Sequence, residues 1–285
     1  MLMPANLSAP AGIRRLLLFV VTGAVAMACS VARSEDSGAK PDDAAELTKK
    51  LANPIAALMS FPFQYNRDEN LGPDDAGSKS YLNIQPVIPV SLNVDWNVIT
   101  RTIVPLVDLQ DLPARGDSNS GLGDVTASQF FSPKKPTGSG WIWGGGPVEL
   151  LPTASERALG AGKLGLGPTF VALTQKGPFT FGVLANHIWS VAGDSDRAYV
   201  NSTFLQPFFS YVTKTKTTFS LNTESSYDWR TSSWSVPINI AVAQLLEIGP
   251  QIVQFSVGAR YWVTTPEGGP EAWGWRAIFT LLVPK

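Results

Sequence analysis

The sequence predicts an all-β protein, an antiparallel transmembrane β-barrel of about twelve strands that follows a cleaved signal peptide and a short N-terminal helix. Three observations carry this expectation. The chain opens like an exported protein, and no later stretch approaches the roughly 18 apolar residues of a membrane-spanning helix. From about residue 57 to the end, hydrophobicity alternates with period two, in segments of roughly 10 to 13 residues.

The export signal comes first. Arg14 and Arg15 precede an apolar run over residues 16–28 in which small residues take over toward the end. About 13 apolar residues are too few to span a bilayer as a helix, which takes roughly 20, so the run reads as a signal peptide over residues 1–28. Ala26-Met27-Ala28 offers one small-x-small cut site and Ser30-Val31-Ala32 a second. Cys29 follows the first site directly, where a lipoprotein carries its acylated cysteine; Ala26 and Met27 fit such a box poorly, so a plain cut and a lipid anchor both stay open. With one cysteine there is no internal disulfide.

Composition narrows the class. All 23 acidic residues lie beyond residue 28 and two of the 22 basic residues precede it, so the remainder carries a net charge of about −3. No basic patch stands out, which gives no reason to expect nucleic acid as a partner. Charged residues make up 16%, below the typical figure of about 25%, so the surface is less charged than water alone favours. A chain of this kind enters a bilayer only as a closed barrel, because open sheet edges leave backbone groups unsatisfied in lipid.

Residues 29–56 form a leader. Residues 33–43 are polar and read as a tether with too little apolar surface to fold. A short helix is expected next. Pro41-Asp42-Asp43 starts it, Leu47 and Leu51 lie four residues apart, and Pro54 ends it. Such a helix is either a plug or latch for the barrel or a mobile terminal element.

The barrel itself is expected over residues 57–285, with strands near 57–68, 79–91, 95–108, 121–132, 141–151, 163–175, 178–191, 199–213, 216–229, 233–246, 250–263 and 272–283. The cleanest alternation covers residues 218–229, where Phe219, Leu221, Tyr227 and Trp229 oppose Ser220, Asn222, Glu224 and Asp228. A tilted strand needs about 9 to 11 residues to cross a bilayer, whereas strands of soluble sandwiches run near 5 or 6. Length therefore favours the membrane. The polar faces supply the candidate lumen residues: Asn83, Gln85, Arg101, Asp124, Asn222, Glu224, Asn239, Gln254, Arg260 and Arg276. Glu224, Arg260 and Arg276 are expected in one charged cluster, because an ionised group shielded from lipid needs partners or water.

Aromatics gather at segment ends: Trp96, Trp141, Trp143, Trp189, Tyr199, Trp229, Trp234, Tyr261, Trp262, Trp273 and Trp275. Amphipathic rings at boundaries suit the belts where lipid meets water. Tight turns at residues 213–216 and 248–250 fall on one end and longer connections mostly on the other, which places both termini on the periplasmic side.

Enzymatic chemistry is hard to assemble. The lone histidine, His187, has Asn186 and Ser190 nearby, as a lipid-cleaving barrel would. In a strand of period two, however, His187 and Ser190 point to opposite faces. No ligand cluster for a metal occurs, and the glycine-rich stretches at 121–123 and 160–167 lack a phosphate-loop ending, so no cofactor is implied.

Several segments taken in order are similar to a known family. They are Leu51-Ala52-Asn53-Pro54-Ile55, Leu82-Asn83-Ile84-Gln85-Pro86-Val87-Ile88-Pro89, Phe130-Phe131-Ser132-Pro133-Lys134, Ala185-Asn186-His187-Ile188-Trp189-Ser190, Thr203-Phe204-Leu205-Gln206-Pro207-Phe208, Leu221-Asn222-Thr223-Glu224-Ser225 and Gly258-Ala259-Arg260-Tyr261-Trp262. Together they resemble outer-membrane proteins of the MetA pathway of phenol degradation family. The resemblance covers nearly all of the chain after the leader. It implies an outer-membrane barrel that passes small compounds, hydrophobic or aromatic ones among them, with membrane lipid and the barrel-assembly machinery as partners. It supplies no substrate and no defined site. The chain departs from many such barrels by ending Val283-Pro284-Lys285 rather than on an aromatic residue. Three function classes stay open: a passive channel or transporter, a structural or adhesin-like barrel, and an outer-membrane lipid hydrolase.

Overall fold

The computed structural model describes residues 41–283; the expected signal peptide, Cys29 and residues 33–40 of the expected tether lie outside the described residues, and residues 41–43 of that tether belong to a helix instead. The first element is the expected helix α1 (Pro41–Leu51). Fifteen strands follow: β1 (Met59–Leu71), β2 (Gly77–Ile84), β3 (Val87–Ser91), β4 (Trp96–Gln110), β5 (Ser118–Leu122), β6 (Val125–Pro133), β7 (Trp141–Leu151), β8 (Lys163–Lys176), β9 (Phe179–Gly193), β10 (Asn201–Val212), β11 (Thr217–Thr223), β12 (Ser225–Asp228), β13 (Ser233–Ile248), β14 (Gln251–Thr264) and β15 (Ala272–Val283). Every pairing is antiparallel, each crossing of the wall pairs with the crossings before and after it in sequence, and β1 pairs β15 from Met59↔Val283 to Arg67↔Trp275. The sheet therefore closes on itself and leaves no edge.

The wall has twelve strands, because three pairs of segments each make one crossing. β2 and β3 are separated only by Gln85-Pro86, and β5 and β6 only by Gly123-Asp124. The third break falls at Glu224. There the register with β10 runs straight through, from Phe208↔Asn222 to Leu205↔Ser225, so no residue is inserted. Continued on both sides, the registers bring Pro207 and Pro237 alongside residues 223–224, and neither proline has an N–H to give the ladder.

Period two sorts the two faces. Outside, Leu221, Ile240 and Val257 are each about half exposed, at 47%, 52% and 52%, and they join a continuous apolar band that a soluble protein would have to cover. Two aromatic belts border it. Tyr65 packs on Trp275, Tyr261 on Trp273 and Tyr227 on both Trp229 and Trp234 at one end. Trp96 meets Trp143, Trp141 meets Phe181, and Phe179 meets Tyr211 at the end that carries the termini. Trp262 corrects the sequence reading: it continues the inward parity of Arg260, and its indole N–H donates to Asp68 Oδ1 at 3.0 Å. It belongs to the lumen rather than to a belt.

The ends differ. At the end with the termini the connections are residues 92–95, 134–140, 177–178, 213–216 and 249–250. The opposite, distal rim carries 72–76, 111–117, 152–162, 194–200, 229–232 and 265–271. The longest of these, 152–162, is tied down by Asp124, whose carboxylate accepts from the Ala154 and Ala161 amides at 3.1 and 2.6 Å.

The face assignment has a direct consequence. Leu221→Arg, near the middle of its crossing, should cost about 2–4 kcal/mol of folding stability in liposomes, while Ser220→Arg beside it, pointing into open lumen, should cost well under half of that in the same urea titration.

Candidate functional site

Polar residues from many strands converge on the interior, and its middle is a layer of paired charges. Arg276 on β15 grips Glu224 with both terminal nitrogens, at 3.0 and 2.6 Å, and Arg260 on β14 reaches the same carboxylate at 3.0 Å. Arg260 turns its other nitrogen to Asp68 at 3.2 Å and to the Tyr81 hydroxyl. Its Nε donates to Asn239 at 2.9 Å, and Asn239 in turn donates to Asn222 at 2.9 Å. Asn66 accepts from Arg276 Nε at 2.7 Å and from Arg260 at 3.3 Å. Side chains from β14 and β15 thus grip the carboxylate that stands between β11 and β12, and side chains from β1, β2 and β13 hold the two arginines in turn.

Local sequence makes room for this. Gly258 lies in register with Arg276 and Ala241, so the strand beside Arg276 presents almost no side chain inward. Gly274 faces Arg260 across the pair, and a Cβ there would stand 2.7 Å from Asp68 Oδ1. Arg260 and Arg276 are 2% and 6% exposed. Charges so deeply enclosed persist only when each has a partner and its remaining hydrogens are bonded, since removing one partner from such a pair costs about 3–5 kcal/mol.

A second polar chain runs down from this layer. Arg101 Nη2 donates to Gln85 Oε1 at 2.7 Å, Gln85 donates to Gln64 at 3.3 Å, and Gln64 to Asn66 at 3.3 Å. Asn83 sits beside Gln64 by register. Lys79 lies over the Tyr81 ring at 5.2 Å. The other half of the wall is different in kind. Ile99, Phe130, Val171, Leu173 and Leu184, all but inaccessible, form an apolar cluster on the inner face.

The N-terminal segment enters this space. Ile55 is 4% exposed and packs in the apolar cluster, where glycine at 144 leaves it room: a Cβ there would lie 3.3 Å from Ile55 Cδ1. Leu47 and Leu51 of α1, with Leu58, pack on inward-facing Leu245, Leu282 and Ile252. Gln175 donates to the Lys49 carbonyl at 2.9 Å. Between this segment and the charged layer lies a cavity of about 290 Å³, lined by Arg101, Asn222, Gln254, Phe208 and Ile278 among others.

The structure thus brings Asn222, Glu224, Asn239, Arg260 and Arg276 into one network, and links Gln85 and Arg101 to it through Gln64 and Asn66. Gln254 lines the cavity without joining the network. Asp124 serves the distal loop instead. Asp68, Asn66, Tyr81 and Trp262 were absent from the expected set. Trp189, Trp229, Tyr261 and Trp275 lie on the outer face with His187, whose Nδ1 meets Thr203 Oγ1 at 2.7 Å; Ser190 instead accepts from the Val200 amide.

No protein-family profile and no curated protein sequence matches the chain. Solved structures do. An outer-membrane channel from Pseudomonas putida F1 matches with a TM-score of 0.62 at 12% identity, covering 80% of this chain and 96% of that one. The NanC porin matches with a TM-score of 0.49 at 10% identity, over 80% of this chain and 100% of that one. The chain is a closed, twelve-stranded transmembrane β-barrel of the outer-membrane type.

If Glu224 is the shared counter-ion of both arginines, Glu224→Ala and Arg260→Ala should not add. A double-mutant cycle by urea unfolding is expected to give a coupling above about 1 kcal/mol; a value below about 0.5 would mean separately hydrated charges.

Proposed function

We propose that the protein resides in the outer membrane with its termini on the periplasmic side, and that it is a narrow passive channel for small molecules with apolar bodies. The observation that carries this reading is the cavity inside the barrel, lined by polar side chains such as Arg101, Asn222 and Gln254 and by Val87 and Phe208, which pack against the apolar cluster. A barrel of about eight strands fills with its own side chains and one of 16 to 18 leaves an open channel, so twelve suit a small, closable space. The likeness to an outer-membrane channel supports the fold on which the reading rests. The shorter connections at the end with the termini support the orientation. Lipid bathes the apolar band, and the assembly machinery inserts the barrel.

In this reading the N-terminal segment is a plug held by side-chain packing and few hydrogen bonds. Burying an apolar side chain of this size is worth about 1.5–3 kcal/mol, so the segment can leave without breaking the wall. A structural barrel, the competing class, needs no such removable contact.

The test leaves the chain whole. Leu51→Asp combined with Ile55→Asp should free the segment and raise ion conductance in planar bilayers, and liposome swelling with small sugars, at least severalfold over the unmodified protein. A barrel that folds and inserts normally but stays as impermeable as before would point to a structural role.

A further inference from the structure

The lumen is electrically unbalanced. Among the described residues of its middle, Lys79, Arg101, Arg260 and Arg276 are cationic and only Asp68 and Glu224 are anionic. Both carboxylates are consumed by Arg260 and Arg276. Arg101 has no carboxylate within ion-pair distance among the described residues, and its one hydrogen bond goes to the neutral Gln85. Arg101 lines the cavity.

The far wall offers a second, independent observation. β4, which bears Arg101, is opposite β11 in a twelve-strand wall, and there Thr218 of β11 and Ser210 of the adjoining β10 are 7% and 5% exposed. The hydroxyls of both are buried without a hydrogen-bond partner, and both residues line the same cavity. Such groups each cost about 1–3 kcal/mol when left unsatisfied. Beside them stand apolar surfaces, Phe208, Val87 and Ile278.

We propose that this cavity is a binding site for a small amphipathic carboxylate, with Arg101 receiving the carboxylate and the apolar body lying against Phe208, Val87 and Ile278. A planar guanidinium with free donors matches a carboxylate through paired hydrogen bonds. The volume of about 290 Å³ falls just short of the usual ligand cavities, which run from about 300 to 1,000 Å³, so the ligand is short. The proposal rests on the channel reading for the route into the cavity, but occupancy can be measured on a barrel that passes no current.

The full-length protein is refolded into vesicles with hexanoate, hexanol or hexylammonium, and ligand affinity is read from the shift in its urea unfolding midpoint. Hexanoate should bind at least tenfold more tightly than either of the other two. Arg101→Gln should lose about tenfold in hexanoate affinity, with Arg101→Lys between, and Phe208→Ala should weaken hexanoate while leaving acetate unchanged. If Arg101→Gln does not fold, as seen by heat-modifiable gel migration, the Arg101→Lys and Phe208→Ala comparisons carry the decision. Equal shifts for hexanoate and hexanol, or no shift with hexanoate in the unmodified protein, overturn the site. Hexanoate binding together with an impermeable plug-freed variant upholds the site and sinks the channel reading instead.

Discussion

Arg260 and Arg276 enter the lumen from neighbouring strands, and their guanidinium groups converge on the same carboxylate. Without Glu224 between them, two positive charges would face each other in an enclosed space, and neither could be solvated as in bulk water. The carboxylate is delivered by the ninth wall strand at a point where flanking prolines thin the backbone ladder, and it crosses over the tenth strand because Asn239 and Ala241 leave the way open. Asp68 and Asn66 then bring in the first strand. The side-chain network therefore bridges the seam where the last strand meets the first, which is the pairing of longest sequence separation in the fold.

While this half of the lumen is used for charge pairing at mid-height, the larger apolar cluster of Ile99, Phe130, Val171, Leu173 and Leu184 gathers on the opposite half and a smaller one of Leu245, Leu282 and Ile252 lies below the charges. That division gives the N-terminal segment a place to dock. Ile55 inserts into the apolar cluster, while Leu47 and Leu51 cover inward leucines lower down. The cavity is the space left between the two kinds of contact, and among the described residues Arg101 is the mid-lumen arginine that makes no ion-pair contact with a carboxylate. Fold and candidate site are thus connected by charge bookkeeping rather than by any single catalytic group.

Much of this was legible in the residues. All twelve crossings fall within a few residues of the segments read from alternation, because a closed barrel in lipid imposes period two over its whole length. The cluster of Glu224, Arg260 and Arg276 followed from three charges on polar faces. Asp68 escaped notice because the run from Gln64 to Asn70 is polar on both faces near the rim, which blurs alternation. Trp262 was assigned to a belt on residue type, although its parity with Arg260 points inward. The faces of β7 were unreadable through Gly144-Gly145-Gly146; the structure shows that one of these glycines faces Ile55, a contact no local pattern encodes. Leu47 and Leu51 announced an amphipathic helix but not its dock, since the receiving Leu245, Ile252 and Leu282 come from three strands far away in sequence.

The central claim, that a paired-charge layer lies inside a closed barrel whose outside is lipid-facing, is tested most directly by fluorescence quenching with brominated lipids. Single-tryptophan variants retaining either Trp275, 49% exposed on the outer face, or Trp262, hydrogen-bonded to Asp68 in the lumen, are refolded into vesicles. Bromine in the acyl chains should quench Trp275 strongly and leave Trp262 nearly untouched. Equal quenching of the two would contradict the assignment of the faces, and with it the enclosed charge layer.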